Sequence, residues 1–282
     1  MLVAWRYKER GTAYQRLNPR VRLVVILALL LAVIQVWDLR VLLAFLAYSI
    51  LQFAVSRLTL REVRYSFIIL SIFITFIVLL TFLTGRGGLN VFSDTTVLWE
   101  GRLLGLFPFT LSSERIAYGI AQAVRLVSLA LLVIVFPYTI HPARYGVVFK
   151  GLGMGDKVAV ATDLAFRFVP SLANDFSTTM DAQKARGYEL ERAGGVVKAL
   201  RNLAPLIVPV TIGAIMRGEE LVDAMDLRAF GSGPRTWSVV LPMRWIDWAL
   251  LAAALAVLVV VTMLNFFTPT FGNLWVPPFL YP

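Results

Sequence analysis

Two arginines, 42 residues apart, end two similar polar stretches of the chain. The first stretch ends in Ala185, Arg186 and Gly187, and the second ends in Leu227, Arg228 and Ala229. An aromatic residue follows each of them, and an alanine stands four residues before each arginine, at Ala182 and Ala224. Arginine presents a rigid fork of donors that suits carboxylates. The repeated pattern therefore predicts two helix ends that insert into acidic grooves on a partner.

A simpler interpretation of the same residues is two ordinary helix C-termini. A cation in the last turn is favoured by the helix dipole by about 0.3–1 kcal/mol, and Gly187 just past Arg186 is a good left-handed cap. Ala229 follows Arg228 at the corresponding position. Because alanine adopts a left-handed conformation less readily than glycine, we expect the second ending to be the geometrically unusual one.

Arg125 lies in the middle of a long apolar run. A charge inside the membrane is costly and by default marks a functional site. The alternative is that Arg125 snorkels or pairs within the helix bundle, including with backbone carbonyls. The sequence leaves both readings open.

The remaining polar residues favour structural roles. Glu219 and Glu220 resemble paired acid/base carboxylates, but the charges around them are typical of a solvated helix face. His141 precedes Pro142 and is expected at a helix start. The chain has no cysteine and a single histidine, so we expect no cofactor and no metal site of its own. It also lacks the G-x-x-x-x-G-K-[ST] phosphate loop.

Composition indicates an all-α polytopic membrane protein. The chain has 282 residues, 59% of them hydrophobic, with a mean hydropathy of +0.75. The net charge of +10 reflects the excess of Lys and Arg expected on the cytoplasmic side of a membrane protein, so no nucleic acid partner is inferred. Apolar runs predict about five transmembrane helices, at about 21–37, 41–56, 66–84, 115–137 (ending at Pro137) and 246–267. The first two are short enough to form a shallow hairpin.

Between the last two spans the chain changes character. Charges interrupt every apolar run, and helical periodicity places Phe168 with Leu172, and Leu206 with Ala214, on single faces. Three helices are predicted, at about 142–153, 157–187 and 195–229, separated by glycines. With the N-terminus in the cytoplasm, the inside segments hold 22 of the 27 Lys and Arg residues, which orients the protein. Segment 85–114 is predicted to be an interfacial loop with a short helix, and the proline-rich tail to be irregular.

The arginine endings resemble the Ala-Arg-Gly motifs of a known family, the transmembrane T component of energy-coupling factor (ECF) transporters, which is CbiQ-like. Ala185, Arg186 and Gly187 match the motif fully, whereas Ala224, Arg228 and Ala229 match it with alanine in place of the glycine. The resemblance extends to Asn18 and Pro19 before the first span, to residues 167–170 and to 205–209, and so covers most of the chain.

The resemblance implies a non-catalytic coupling subunit of an ATP-driven importer of vitamins or transition metal ions. Its partners would be two ABC-type ATPase subunits, which hold the ATP and Mg, together with a substrate-binding membrane S component and the lipid bilayer. It implies a prokaryotic cell membrane, with the N-terminus and coupling helices in the cytoplasm. The regions are then 1–140 with four spans, 141–236 with the coupling helices, and 237–282 with the last span and tail.

Two other classes of function remain open. An integral membrane enzyme would need acids, histidines or serines at catalytic spacing, but Ser49, Ser71 and Ser128 have no histidine beside them in the sequence. A self-sufficient channel or secondary transporter would leave the long charged segment between the last two spans unexplained.

Overall fold

The computed structural model describes residues 9–84, 97–103, 107–188, 196–233 and 241–267. Along the chain lie α1 (Ala13–Arg16), α2 (Pro19–Gln35), α3 (Leu39–Val55), α4 (Leu60–Thr84), β1 (Val97–Leu103), β2 (Phe107–Ser112), α5 (Ser113–Thr139), a 3₁₀ turn (Pro142–Arg144), α6 (Tyr145–Gly151), α7 (Asp156–Ala185), α8 (Val196–Leu227) and α9 (Trp245–Phe267). The all-α prediction is confirmed, with one small hairpin added.

The chain divides into two compact units. The membrane unit lies within Arg6–Ile140 and Pro242–Pro282, and the arm unit lies within His141–Leu241. Within the described residues, three helical segments are long and apolar enough to cross a membrane: Leu60–Thr81, Arg115–Thr139 and Trp245–Phe267. All three belong to the membrane unit.

Local sequence explains where the first helices begin. Asn18 Oδ1 accepts from the Arg20 backbone N–H at 3.0 Å, and Pro19 occupies the first position of α2. Asp38 Oδ1 accepts from the Arg40 N–H at 2.8 Å at the start of α3. Short side chains with oxygen atoms satisfy amides that have no partner within the helix, and proline has no amide to satisfy.

The third span begins earlier than expected, at Leu60 rather than near residue 66. The backbone N–H of Thr59 donates to the Glu62 carboxylate at 3.4 Å, and the Glu62 N–H donates to the Thr59 carbonyl at 3.0 Å. Thr59 and Glu62 have the spacing of a capping box, which is a sequence pattern that predicts this start.

The helix α5 also continues beyond its predicted end. Pro137 lies inside it, and the helix ends at Thr139. Thr139 Oγ1 donates to the Val135 carbonyl at 2.9 Å. Proline removes one backbone hydrogen bond and does not by itself end a helix.

The helix α2 packs on α9 and α5, and α3 packs on α5. The core of the membrane unit includes fully buried side chains from these helices, namely Val33 on α2, Leu42 on α3 and Leu132 on α5. Both α2 and α3 have 17 residues, which is at the short limit for a span. That the two helices form a shallow hairpin in the membrane stays a prediction.

Segment 85–114 contains an antiparallel β-hairpin instead of the expected loop with a short helix. The strands β1 and β2 pair Glu100 with Thr110 and Leu103 with Phe107. The segment is rich in aromatic and β-branched residues, a composition that favours strands. Residues 85–96 and 104–106, Gly194 and Gly195, and the tail from 268 to 282 lie outside the described residues.

The arm unit contains the three helices that the sequence predicted between the last two spans. The glycine-rich turn at residues 151–155 separates α6 from α7, and Gly153 has φ 91°. Gly146 permits the close packing of α6 on α7, because a Cβ there would lie 2.6 Å from the Ala159 carbonyl oxygen and 2.9 Å from Asp163 Cβ. The rings of Tyr145 and Phe166 stack nearby, with centroids 4.7 Å apart.

Candidate functional site: the arginine-terminated helix ends

The first ending, residues 182–188, closes α7 with a Schellman motif. The Gly187 N–H donates to the Lys184 carbonyl at 2.9 Å, and the Tyr188 N–H donates to the Gln183 carbonyl at 3.0 Å. Gly187 has φ 79°, the left-handed conformation that this motif requires. Arg186 is the C-cap residue itself.

The second ending, residues 224–230, closes α8 with the same pattern. The Ala229 N–H donates to the Asp226 carbonyl at 2.9 Å, and the Phe230 N–H donates to the Met225 carbonyl at 2.9 Å. Ala229 adopts φ 54°. The backbone thus adopts the left-handed cap without glycine, and this left-handed alanine confirms the expectation that the second ending is the unusual one. The two endings differ in conformational energy, because the left-handed conformation costs Ala229 about 1–2 kcal/mol that Gly187 does not incur.

The two endings match in exposure as well as in backbone geometry. All six motif residues are exposed, whereas the aromatic residue after each motif is partly buried, at Tyr188 and Phe230. At the position before the arginine the endings differ, because Ala185 is replaced by Leu227, which is 90% exposed. Each ending presents a guanidinium beside small or apolar surface, a combination that can bind a carboxylate in a partly apolar groove.

An ion pair connects α7 to α8 about two thirds of the way along each helix. Arg217 on α8 donates to the Asp175 carboxylate on α7, and it also donates to Ser171 Oγ at 3.4 Å. Both charged side chains are about one third exposed, at 37% and 33%. The hydrogen bond from Arg217 lowers the pKa of Asp175, and the same bond raises the pKa of Arg217. The pair is therefore fully charged at neutral pH.

The Asp175–Arg217 pair is the same number of residues away from both arginine endings. Asp175 precedes Arg186 by 11 residues, and Arg217 precedes Arg228 by 11 residues. We call the part of each helix between the pair and its arginine an arm. At a rise of 1.5 Å per residue, each arm is about 16 Å long. Beside the pair, Phe168, Leu172 and Ala214 line a small cavity of about 40 Å³, in agreement with the predicted apolar faces. The sequence reasoning had not identified Asp175 or Arg217 as a pair.

Arg125 belongs to α5, and its side chain reaches the turn between α2 and α3 in the membrane unit. Its guanidinium donates to the carbonyl of Val36, just past the end of α2, and stands 3.6 Å from the Trp37 ring centroid. Trp37 in turn stacks on Tyr118, with centroids 5.0 Å apart. The side chain is only 7% exposed. Of the two readings of Arg125, these contacts support pairing within the bundle.

The end of α2 lies beside the middle of α5, where Arg125 is located. Arg125 is 12 residues from the start of α5 at Ser113, which is about 18 Å along the helix axis. A helix that ends there exposes carbonyls that have no partner within the helix. A cation placed against such a C-terminus is favourable, so Arg125 stabilises the end of α2.

Asp247 is a buried carboxylate to which sequence reasoning assigned no role. It is 1% exposed and accepts from the Asn18 N–H at 3.0 Å and from the Arg244 N–H at 2.9 Å. Asn18 Nδ2 also reaches the Pro242 carbonyl at 3.5 Å. Asp247 thus joins the starts of α2 and α9, and an acid in the first turn of an apolar helix is the pattern that indicates such a cap.

The other polar candidates occupy the structural positions that were expected. His141 Nδ1 accepts from the Ala143 N–H at 3.2 Å at the start of the 3₁₀ turn, and Glu219 and Glu220 are exposed. Among the described residues, no group of three or more His, Cys, Asp or Glu side chains is placed to hold a metal ion.

Known proteins resemble this chain over most of its length. The family described as "Cobalt transport protein" (CbiQ) matches residues 11–239, a range that contains both endings. Three curated relatives are each named energy-coupling factor transporter transmembrane protein EcfT. The protein of Heliobacterium modesticaldum is 28% identical over 91% of this chain and 95% of its own length. That of Thermanaerovibrio acidaminovorans is 28% identical, with coverages of 87% and 89%, and that of Acidaminococcus fermentans is 26% identical, with coverages of 80% and 82%.

Proposed function

Because the chain belongs to the CbiQ family and is a transmembrane component of an ECF-type transporter, we propose that it couples two ATPases to a substrate-binding S component. It carries no catalytic centre in this proposal. ATP and Mg bind to the ATPase subunits, and the substrate, a vitamin or a transition metal ion, binds to the S component. The chain transmits motion between them through α7 and α8.

The observation that carries this proposal is the pair of matched endings. Arg186 and Arg228 are both exposed C-cap residues on the same backbone motif, at equal distances from the Asp175–Arg217 pair. Two equivalent arms suit two equivalent partners, as a pair of like ATPase subunits provides. An arginine that inserts into an acidic groove makes charge-assisted hydrogen bonds, which are about twice as strong as neutral ones.

The apolar face of α8 supports a second partner on the arm unit. Val208, Ile212 and Ile215 are each more than half exposed, and they lie on one side of the helix at i, i+4 and i+7. Val222 continues the same stripe and is 54% exposed. An apolar stripe of this kind on a charged helix fits a partner that is itself hydrophobic, such as an S component.

The proposed orientation has the N-terminus and the arm unit in the cytoplasm of a prokaryotic cell. The charge distribution supports it. The proposed orientation does not depend on whether α2 and α3 cross the whole bilayer. If both cross it, or neither does, the chain reaches α4 on the side where α2 began. The helices α4 and α5 then cross outward and back, and α9 crosses after the arm unit.

The test is a charge reversal at both endings. The tagged chain is coexpressed with its two ATPases and its S component, and the double variant Arg186→Glu, Arg228→Glu is purified from membranes beside the wild type. We expect the ATPases to be lost from the purified material and ATP-driven uptake to be abolished, while membrane insertion and S component recovery are unchanged. The matched control is Arg144→Glu, Lys157→Glu, which reverses two exposed cations elsewhere in the arm unit.

Three results would oppose the proposal. Retention of both ATPases by the double variant would show that the endings do not dock them. Equal loss in the control variant would indicate a general charge effect. Substrate flux through the purified chain alone, in liposomes without ATP, would favour a self-sufficient channel or transporter, and turnover of a lipid or peptide by that chain would favour a membrane enzyme.

A further inference from the structure

Three neighbouring cavities follow one side of the membrane unit. The first lies between α2, α3 and α9 and has a volume of about 340 Å³, and within the described part of the chain it is lined by Tyr48 and apolar residues. The second has a volume of about 160 Å³ and shares Val25, Tyr48 and Leu250 with the first. The third has a volume of about 490 Å³ and shares Val55 with the second. We call these the apolar groove, the neck and the basic mouth.

The apolar groove has the length of one membrane leaflet. On α9 its lining extends from Leu250 to Val261, which is 11 residues or about 16 Å of helix. The hydrocarbon core of a bilayer is about 30 Å thick, so one leaflet accounts for about 15 Å. Ala44 and Ala253 line the groove from opposite helices, and their small side chains leave it open.

The neck is polar on one side. Tyr14, Arg22 and Gln52 line it, and all three are less than 10% exposed. Gln52 Nε2 donates to Tyr14 Oη at 2.9 Å, while Gln52 Oε1 is buried and has no hydrogen-bond partner among the described residues. Burial raises the pKa of Tyr14 to about 12, so its hydroxyl stays neutral. A buried polar atom without a partner suits a ligand or water that can donate a hydrogen bond.

The basic mouth carries two exposed arginines, Arg16 and Arg57. Arg57 follows the end of α3 in a left-handed conformation, with φ 49°, which is uncommon for a residue other than glycine. From the mouth inward, the surface thus changes from cationic to polar to apolar over the depth of a leaflet.

We propose that these cavities form one binding site for an anionic phospholipid. An acyl chain occupies the apolar groove, the glycerol region lies in the neck, and the phosphate lies at Arg16 and Arg57. A hydroxyl of a glycerol headgroup or a bound water donates to Gln52 Oε1. In the proposed orientation the mouth faces the cytoplasmic leaflet, where clustered basic residues attract anionic lipids.

The charge gradient favours a lipid over a protein helix or a second copy of this chain. A transmembrane helix of a partner would fill the apolar groove alone and would not require the two arginines at its end. A phospholipid matches all three parts, because one molecule contains the anionic, polar and apolar regions in the same order and over the same length.

Native mass spectrometry of the purified full-length chain tests the site. Phosphatidylglycerol and phosphatidylcholine are added at equal concentration to the detergent-solubilised protein, and the retained lipid is counted. We expect one retained phosphatidylglycerol in preference to phosphatidylcholine. Arg16→Gln should lower this retention about fivefold, and Arg16→Gln with Arg57→Gln about thirtyfold. The control Arg61→Gln, Arg64→Gln removes the same charge from exposed residues outside the site and should leave retention unchanged.

A second pair of variants tests the apolar groove. Ala253→Phe should fill the groove and abolish the retained lipid, whereas Ala252→Phe, at the exposed neighbouring position outside the groove, should not. If Ala253→Phe is poorly folded by circular dichroism, Ala44→Phe fills the same groove from α3.

The proposal is overturned by any of three results: equal retention of the two lipids by the wild type, equal loss in the Arg61 and Arg64 control, or normal retention in the filled-groove variants. A dimer that disappears on filling the groove, or recovery of the S component that falls with Ala253→Phe in the absence of added lipid, would assign the groove to a protein and would also overturn it.

Discussion

The two endings of the arm unit have the same backbone geometry but not the same sequence. Both form a Schellman motif with arginine at the C-cap and a left-handed residue after it, at Gly187 with φ 79° and at Ala229 with φ 54°. Glycine adopts the left-handed conformation without strain, so Gly187 suits the first ending. Ala229 adopts the same conformation with backbone strain. The shared hydrogen bonds, more than the glycine, therefore determine where each arginine lies.

The residue after the arginine, glycine in one ending and alanine in the other, affects the stability of the helix end but not the position of the guanidinium. The position of the guanidinium depends on the helix end, and the end is the same in both arms. The stability of the helix end depends on the residue after the arginine, and there the arms differ. In the proposed transporter, we therefore expect the endings to be equivalent in docking and unequal in local stability.

The largest expected effect comes from removing one arginine at a time. Because truncating one partner of a buried, hydrogen-bonded charge pair at an interface costs about 2–5 kcal/mol, Arg186→Ala and Arg228→Ala should each weaken ATPase binding at least thirtyfold and to a similar extent. Titration of each variant with the purified ATPases measures this. A much larger loss from one variant than from the other would break the equivalence of the endings.

Exchanging the residues after the arginines should have opposite effects. Gly187→Ala should destabilise the first ending by about 1 kcal/mol, and Ala229→Gly should stabilise the second by a similar amount. Amide hydrogen exchange at Tyr188 and Phe230 reports this directly, with an expected change of about fivefold in protection. Equal protection before and after both exchanges would show that the left-handed residue is not the source of the difference.

Breaking the Asp175–Arg217 pair should affect both arms together. Asp175→Asn or Arg217→Gln should lower the thermal stability of the arm unit only slightly, as expected for a partly exposed pair. The swapped variant Asp175→Arg, Arg217→Asp should recover part of the loss in a double-mutant cycle. Loss of uptake with no recovery in the swap would mean that one of the residues acts alone.

The smallest expected effect is a pH dependence of the same pair. The Asp175 carboxyl has a pKa below its usual value of 3.8 because of the hydrogen bond from Arg217. A group whose folded pKa is lowered contributes stability above its unfolded pKa, and this contribution is lost as pH falls through the folded value. The thermal stability of the wild type and of Asp175→Asn should therefore converge below about pH 4. A constant difference down to pH 2 would contradict this cause.

Much of the fold follows from local sequence. Long apolar runs predict α4, α5 and α9, and glycines mark the breaks around α6 and α7. Asn18 with Pro19 predicts the start of α2, and the periodic apolar residues predict which faces of α7 and α8 meet. These features depend on residues within a few turns of one another, where period, capping and breaker rules apply.

Two helices differ from their predicted bounds. The capping box of Thr59 and Glu62 starts α4 earlier in the chain than its apolar run does, and α5 continues past Pro137. The hairpin of β1 and β2 differs from the predicted loop because a single weak strand is hard to recognise until its partner strand is known.

The sequence by itself determined that this is a helical membrane protein with two arginine-terminated helices and a predicted cytoplasmic orientation, because hydropathy, charge and motif spacing are properties of the chain. The tertiary structure decided which distant residues meet. It placed Arg125 against the end of α2, paired Asp175 with Arg217, joined Asp247 to Asn18, and arranged a groove between three helices. These contacts depend on how helices pack, and the spacing of residues along the chain does not contain that information.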